Sequence, residues 1–124
     1  HSLANLRKTP EDVVRELAAI RAARDAAAGA AGAAGAVGGA GAVGAAAGAA
    51  ATQRPCIIEA GISTAFGCTL QGRVDPQDVL ALVRDVLDAG ADRVSLADTV
   101  GYADPAAVAS LFAQAREIAG DRLT

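Results

Sequence analysis

The sequence predicts an α/β fold of parallel strands alternating with helices, roughly half of a (β/α)8 TIM barrel. Two apolar runs of strand length are each followed by an amphipathic stretch of helix length. The prolines that open the last two helices, Pro76 and Pro105, lie 29 residues apart, which is the length of one strand–helix unit. A barrel of eight such units has about 250 residues, and this chain has 124. A flavodoxin-like doubly wound domain is the competing architecture.

Three helices are predicted from a shared start signal, a capping side chain followed by proline. The signals are Thr9-Pro10, Asp75-Pro76 and Asp104-Pro105. Asp12 and Asp78 stand three residues after the first two caps, as in a capping box. Helical spacing predicts the buried faces: Val13, Val14, Leu17 and Ile20 in the first helix, Val79, Leu80, Val83, Val86 and Leu87 in the second, and Val108, Leu111, Phe112, Ala115 and Ile118 in the third.

Two strands are predicted from short apolar runs, Pro55–Ile62 and Val94–Leu96. Residues 63–72, between the first strand and the second helix, are predicted to be a loop that carries hydroxyls, a thiol and two glycines. Gly90 and Gly120 are predicted to end the second and third helices, because glycine adopts the left-handed conformation found just after a helix.

A run of alanine and glycine interrupts this pattern. Residues 26–51 contain only alanine, glycine and two valines, with no charge. Glycine recurs at the collagen period, but proline is absent. A membrane span is also rejected, since a third of the run is glycine and no leucine or aromatic anchor is present. The sequence therefore divides into a loop and helix (1–28), an Ala/Gly-rich low-complexity insertion without function (29–53), and two barrel units (54–124).

Composition excludes several classes of protein. The net charge is −3 and the basic residues are scattered, so neither nucleic acid nor a membrane surface is an expected partner. Two cysteines, Cys56 and Cys68, do not make a disulfide framework, and a reducing, cytoplasmic location is expected. The N-terminus lacks the apolar region of a signal peptide, and a start at His1 rather than Met indicates a segment of a longer protein.

The stretch Arg93–Pro105 carries the strongest functional pattern. A buried strand there ends in Asp98 and Thr99 and then turns into a helix. Barrels and other α/β folds place their active sites at the carboxyl ends of strands, where loops gather. The alternative is that Asp98 only caps its loop by accepting bonds from nearby backbone N–H groups. Both interpretations remain open on the pattern alone.

Two motifs resemble the hydroxymethylglutaryl-CoA lyase family. They are G-I-S-T-A-F-G-C-T-L-Q-G at 61–72 and A-G-A-D-R-V-S-L-A-D-T-V-G at 89–101. Family members carry a serine-rich strand end running into F-G-C-P-x-x-G, then A-G-A-x-x-I-S-L-x-D-T-I-G about one helix later. Thr69, Gln71 and Ala97 replace the proline, glutamate and glycine common there. The resemblance covers the chain on both sides of the Ala/Gly run.

The resemblance implies a carbon–carbon lyase that cleaves a 3-hydroxy-3-methylglutaryl-CoA-type thioester to acetyl-CoA and acetoacetate, as in leucine degradation. Asp98 is then the catalytic candidate, and the substrate-binding candidates are Thr99, Ser63, Thr64, Cys68 and Asn5. For Cys68 an inert, partly buried thiol is the competing interpretation. The resemblance also implies an acyl-CoA substrate and a homo-oligomeric full-length protein.

A divalent metal, Mg²⁺ or Mn²⁺, is further implied for the full-length enzyme. The family's ligands are an Arg-Asp pair at the first strand and a His-x-His after the last helix of this chain, and neither is present. We therefore expect a middle fragment that is inactive alone. The alternatives are a related synthase that condenses acetyl-CoA with a 2-oxo acid, and a non-catalytic linker or assembly segment built on the Ala/Gly run.

Overall fold

A computed structural model describes residues 9–34 and 56–124 of the chain. The regular elements run in the order α1 (Pro10–Ala34), β1 (Glu59–Ile62), β2 (Gly67–Cys68), β3 (Gly72–Arg73), α2 (Pro76–Asp88), β4 (Arg93–Leu96), α3 (Pro105–Ala119) and a 3-10 turn (Gly120–Arg122). β1 and β4 pair in parallel, with Glu59 opposite Arg93 and Ile62 opposite Leu96. Strand, helix, strand, helix with parallel pairing is the predicted α/β arrangement.

A third parallel segment begins beside β4 at Leu123. Leu123 forms a parallel bridge with Val94, and the Thr124 N–H donates to the Val94 carbonyl at 2.9 Å. Strands added in sequence order on one side, each after a helix, are how a barrel sheet grows.

Among the described residues, helices cover one face of the β1–β4 sheet, and the side chains of the opposite face are exposed or half-buried. Ala60, Ile62 and Val94 point to the helices, and Val94 is fully buried. Glu59 and Arg93, which alternate with them, are exposed. The core that results joins all three helices to the sheet: Leu17, Ile62, Ala65, Val79, Leu80, Val83, Val86, Leu87, Ala91, Val94, Leu111, Ala115 and Ala119.

The helix starts are confirmed. The Asp75 carboxylate accepts the Gln77 N–H at 2.9 Å, and Asp104 accepts the Ala107 N–H at 2.8 Å. Thr9 and Asp12 exchange side-chain-to-backbone bonds at 3.1 and 3.2 Å, a complete capping box.

Gly90 ends α2 as predicted. Its φ is +103°, its N–H donates to the Leu87 carbonyl at 3.1 Å, and the Ala91 N–H donates to the Val86 carbonyl at 3.0 Å. These two bonds form a Schellman motif. Gly120 is the C-cap of α3, with φ +58° and its N–H bonded to the Arg116 carbonyl.

Several predicted boundaries and faces were wrong. The helix α1 continues to Ala34, beyond residue 28, because alanine is the best helix former and only two glycines interrupt residues 29–34. Ile20 in α1 is 57% exposed and Val108 in α3 is 37% exposed, although both were predicted to be buried. Helical spacing identifies the buried stripe but not its edges.

The first strand is shorter than predicted. β1 begins at Glu59, and Cys56 and Ile57 before it are exposed. The Ile58 N–H donates to the Asp92 carboxylate at 2.8 Å, so a side chain takes the place of a strand partner there. The loop predicted over residues 63–72 instead contains β2 and the start of β3, which pair antiparallel. Two-residue strands are too short to show alternation in a sequence.

Asp92 anchors α1 to the amino ends of the two strands. Besides the Ile58 N–H, its carboxylate pairs with the Arg24 guanidinium of α1, which also donates to the Cys56 carbonyl at 3.4 Å. The Ile58 N–H and, after it, the Arg24 charge hold the pKa of Asp92 below its ordinary value. Within the described ranges no helix is long and apolar enough to cross a membrane.

Candidate active site

The carboxyl ends of β1 and β4 are held side by side. Pairing continues past the strands: the Ala97 N–H donates to the Ile62 carbonyl, and the Ala65 N–H donates to the Ala97 carbonyl, both at 3.0 Å. Ser63-Thr64 lie between these two bonds and Asp98-Thr99 follow Ala97 directly, so the two pairs of residues share one edge of the sheet. This is the arrangement that the sequence predicts.

Asp98 is bound by the backbone of its own loop. Its Oδ1 accepts the N–H groups of Gly101 at 3.0 Å and Tyr102 at 3.1 Å, and its Oδ2 accepts that of Ala103 at 2.9 Å. These bonds, the Ala103 bond most of all, lower the pKa of Asp98. The side chain is therefore an ionised acceptor at neutral pH. The loop-capping interaction is therefore present, and both carboxylate oxygens accept backbone N–H groups.

Thr64 and Thr99 join the two strand ends. The Thr64 N–H donates to the Thr99 Oγ1 at 3.1 Å, and the Thr64 hydroxyl donates to the Ser63 carbonyl at 2.6 Å. Thr64 is 7% exposed, whereas Ser63 and Thr99 are exposed. Of the three hydroxyls, those of Ser63 and Thr99 are open to a ligand.

Cys68 is buried, unlike Ser63 and Thr99. The residue, in β2, is 1% exposed, and its Sγ accepts the Leu70 N–H at 3.4 Å. The backbone N–H groups of Leu70 and then Gln71 lower the pKa of the thiol. A ligand therefore has no access to Cys68 in this arrangement. Asn5 and His1 lie outside the described residues, and the substrate contact of Asn5 stays a prediction.

A cleft of about 470 Å³ is lined by residues of the neighbouring loops and of α3, and Ser63, Thr64, Asp98 and Thr99 are not among them. Its wall includes Tyr102, which follows the Asp98 loop, and Arg73 of β3, neither of which the sequence singled out. A side chain at Gly67 would drive its Cβ into Cδ2 of Tyr102, so the ring requires glycine there. Tyr102 is the single tyrosine of the chain, and this was the feature of the sequence that could have identified it as a candidate. The cleft is lined by Ala65, Phe66, Arg73, Val74, Pro76, Tyr102, Asp104, Ala107, Ser110 and Leu111.

The described residues do not fit a divalent-cation site. In residues 9–34 and 56–124 no three His, Cys, Asp or Glu side chains form a group able to hold a metal. Nor does any buried side-chain nitrogen or oxygen in those ranges lack a hydrogen-bond partner. The chemistry of this edge is that of one carboxylate and its neighbouring hydroxyls.

Parallel strand–helix units with polar groups at the strand carboxyl ends define the class as an α/β barrel. The family model described as HMGL-like matches residues 4–122. The chain belongs to the HMGL-like family, whose fold is the TIM barrel.

Curated relatives include both lyases and synthases. A 3-hydroxy-3-isohexenylglutaryl-CoA/hydroxy-methylglutaryl-CoA lyase of Pseudomonas aeruginosa is 36% identical over 75 residues, which are 60% of this chain and 25% of that protein. An (R)-citramalyl-CoA lyase of Chloroflexus aurantiacus is 46% identical over 50 residues (40% and 16%). A homocitrate synthase of Sulfolobus acidocaldarius is 44% identical over 52 residues (42% and 11%).

The chain therefore aligns with a quarter or less of the length of each of these three relatives. No solved structure matches it significantly.

Proposed function

We propose that the protein containing this chain is a carbon–carbon lyase that cleaves a 3-hydroxy-3-methylglutaryl-CoA-type thioester to acetyl-CoA and acetoacetate. The observation that carries the proposal is the juxtaposition of the ionised Asp98 carboxylate with open hydroxyls from two neighbouring strand ends. The alignment with the Pseudomonas lyase is longer than those with the citramalyl-CoA lyase and the homocitrate synthase. It favours this substrate class.

The cleavage is a retro-aldol reaction. A base removes the proton of the tertiary hydroxyl, the bond between C2 and C3 breaks, and C3 becomes the ketone of acetoacetate. The electron pair of that bond forms the enolate of the thioester, which takes up a proton to give acetyl-CoA. The base must have a pKa near neutrality to work well, and the lowered pKa of Asp98 makes this residue a poor base.

Asp98 instead supplies a fixed negative charge beside the reacting hydroxyl, and it stabilises the positive charge that a neutral base gains when it takes the hydroxyl proton. Its two oxygens are fixed by three backbone N–H groups, so the carboxylate needs no reorganisation when substrate arrives. Thr99 and Ser63 supply hydroxyl donors for the carboxylate or carbonyl oxygens of the substrate. Cys68 and Asn5 remain proposed contacts, as do homo-oligomeric assembly and a cytoplasmic location.

We also propose that the whole protein requires Mg²⁺ or Mn²⁺, with ligands from outside the described residues. Family membership supports this requirement. The dependence is measured by dialysis against a chelator, followed by re-addition of either ion to the inactive protein.

A synthase that condenses acetyl-CoA with a 2-oxo acid is the second candidate. It is favoured by the homocitrate synthase relative and by a 2-isopropylmalate synthase of Synechococcus, 40% identical over 48 residues. Both reactions involve an enolate of acetyl-CoA, so the same strand ends would serve either one.

The test is a pair of assays on the purified whole protein. We expect 3-hydroxy-3-methylglutaryl-CoA to yield acetyl-CoA and acetoacetate in equal amounts. In parallel, acetyl-CoA is incubated with 2-oxoglutarate or 2-oxoisovalerate, and release of the CoA thiol is followed. Release of the CoA thiol in the second assay, without cleavage of 3-hydroxy-3-methylglutaryl-CoA in the first, would replace the lyase with the synthase. Inactivity in both assays with Mg²⁺ and Mn²⁺ present would contradict both enzymatic proposals.

A further inference from the structure

Thr64 has a backbone conformation that threonine rarely adopts. Its φ is +58°, and among the described residues it is the one non-glycine residue with a positive φ. A β-branched side chain is poorly tolerated in this left-handed region. Such strain persists only where the surrounding structure holds it, and it concentrates at functional sites.

Three hydrogen bonds hold Thr64 in place. Its hydroxyl donates to the Ser63 carbonyl at 2.6 Å, its carbonyl accepts the Gly67 N–H at 3.2 Å, and its N–H donates to Thr99 Oγ1 at 3.1 Å. The first two are local to the turn after β1. The third crosses to the other strand end, 35 residues further along the chain.

The third bond determines what the Thr99 hydroxyl can do. A hydroxyl has one proton to donate and two lone pairs that accept. The Thr64 N–H occupies one lone pair of Thr99, so the proton of Thr99 points away from Thr64. Thr99 is exposed, so its proton remains available for a hydrogen bond to a ligand at the strand edge.

We infer that Thr64 is a positioning residue that presents the Thr99 hydroxyl as a hydrogen-bond donor to a carbonyl or carboxylate oxygen of the substrate. Thr64 itself does not contact substrate, because it is 7% exposed and its own hydroxyl is bonded to Ser63. This role replaces the direct contact expected for Thr64 from the sequence. The inference rests on the proposed thioester chemistry at this edge.

The first arm of the test measures the hydrogen bond without substrate. In the whole protein, the Thr64 amide should exchange slowly with solvent. Slow exchange should persist in Thr99→Ser, which keeps the hydroxyl, and be lost in the near-isosteric Thr99→Val. A Thr64 amide that exchanges equally fast in all three proteins would overturn the inference, whatever reaction the protein catalyses.

The second arm measures kcat/KM for the thioester. We expect Thr99→Val to lower it by about tenfold or more and Thr99→Ser to restore most of it. Thr64→Val removes the hydroxyl that holds the strained turn, so it should also lower kcat/KM. Thr64→Gly should retain most activity, because glycine adopts a positive φ without strain and keeps the N–H.

The decisive protein is the double variant Thr64→Val/Thr99→Val. If Thr64 acts through Thr99, the second substitution costs nothing further in kcat/KM. Independent, multiplying losses would show that Thr64 has only a structural role, and full activity in Thr99→Val would also end the inference. Inactivity of the wild-type protein toward thioesters would count against the proposed function, while the exchange arm still decides whether the hydrogen bond exists.

Discussion

Two aspartates bracket strand β4 and have different surroundings. Asp92, at the amino end, binds the Ile58 N–H and the Arg24 guanidinium, which lie 34 and 68 residues away in the chain. Asp98, at the carboxyl end, binds N–H groups three to five residues ahead in its own loop. The pKa of each carboxyl is lowered, mainly by backbone N–H groups.

The different partners of the two aspartates indicate that Asp92 serves the stability of the fold and Asp98 the chemistry of the site. The bonds of Asp92 join three distant segments, so their loss is felt by the whole fold. The bonds of Asp98 shape a single loop and leave the carboxylate at the edge where a substrate can reach it. Barrels in general place catalytic groups at the carboxyl ends of strands. Substitution of Asp92 should therefore change the free energy of unfolding, whereas substitution of Asp98 should mainly change turnover.

The largest effect is expected at Asp98. In the whole protein, Asp98→Asn should lower turnover at least about a hundredfold, as does loss of a well-placed polar group in an active site. An amide has one acceptor oxygen, so the variant also loses either the Ala103 bond or the Gly101 and Tyr102 pair. We expect a small fall in Tm beside the large fall in kcat.

Asp75→Asn is the matched control for that substitution. Asp75 also accepts a backbone N–H nearby, as the N-cap of α2, and asparagine is an equally good N-cap. Its turnover should be unchanged. Near-normal turnover in Asp98→Asn, with any loss following the fall in Tm, would leave Asp98 as a loop cap alone.

The largest stability effect is expected at Gly90, on the amino-end side of β4. Alanine there would be strained at φ +103°, and its Cβ would overlap Cδ of Arg21. We expect Gly90→Ala to lower the free energy of unfolding by about 1–3 kcal/mol without changing kcat. Urea denaturation of the whole protein gives the first value, and the lyase assay gives the second.

Gly29→Ala provides the opposite result from the same chemical change. Gly29 lies in the exposed part of α1, and a methyl group added there would have nothing within 4 Å. Alanine is favoured over glycine in a helix by up to about 1 kcal/mol, so this variant should be as stable as wild type or more so. A stabilising Gly90→Ala would show that the Schellman turn relaxes freely.

A smaller loss is expected for Asp92→Ala. The Asp92 and Arg24 side chains are 40% and 22% exposed, so their ion pair contributes at most about 1 kcal/mol. With the unpaired Ile58 N–H, we expect a total loss of about 1–2 kcal/mol in unfolding free energy and unchanged turnover. A large fall in kcat would contradict the separation of the two ends.

The same variant predicts a dependence on pH. Because the folded pKa of Asp92 lies below its ordinary value of 3.8, its contribution is fully present above pH 3.8 and is lost as pH falls through the folded pKa. The stability difference between wild type and Asp92→Ala should therefore be constant from neutral pH to about 4 and shrink below it. Urea midpoints of both proteins at several pH values measure this difference. A difference that grows in acid would contradict a lowered pKa for Asp92 in the folded protein.

The smallest effect is expected from removing residues 29–51. The Arg24 guanidinium lies 3.4 Å from the Cys56 carbonyl, so a connection of a few residues from Ala28 is long enough. The unfolding free energy should change by no more than about 0.5 kcal/mol, with turnover unchanged. Loss of an assembly or interaction on deletion would instead support a role for the Ala/Gly run.

What the sequence predicted well depends on local chemistry. Asp75-Pro76 and Asp104-Pro105 begin helices because the cap and its N–H partner are two or three residues apart. The proximity of Thr99 and Thr64 could also be predicted from the sequence, because the carboxyl ends of parallel strands lie at the same edge of a sheet. In these cases a short motif contains all the interacting groups.

What the sequence did not predict depends on partners far apart in the chain. Nothing near Asp92 indicates that Ile58 and Arg24 will meet it. The positive φ of Thr64 is imposed by its surroundings against the preference of threonine. Tyr102 was overlooked because its contact, Gly67, belongs to a hairpin too short to recognise.

The parallel register has a consequence for synthesis on the ribosome. Glu59 and Arg93, which begin the β1–β4 ladder, are separated by 34 residues, and Val94 and Leu123 by 29. Each described pairing of neighbouring parallel strands thus waits until a complete helix has been translated. By then α2 has its Asp75 cap and can close its own turns, whereas β1 stays an unpaired edge until residues 93–96 have left the exit tunnel.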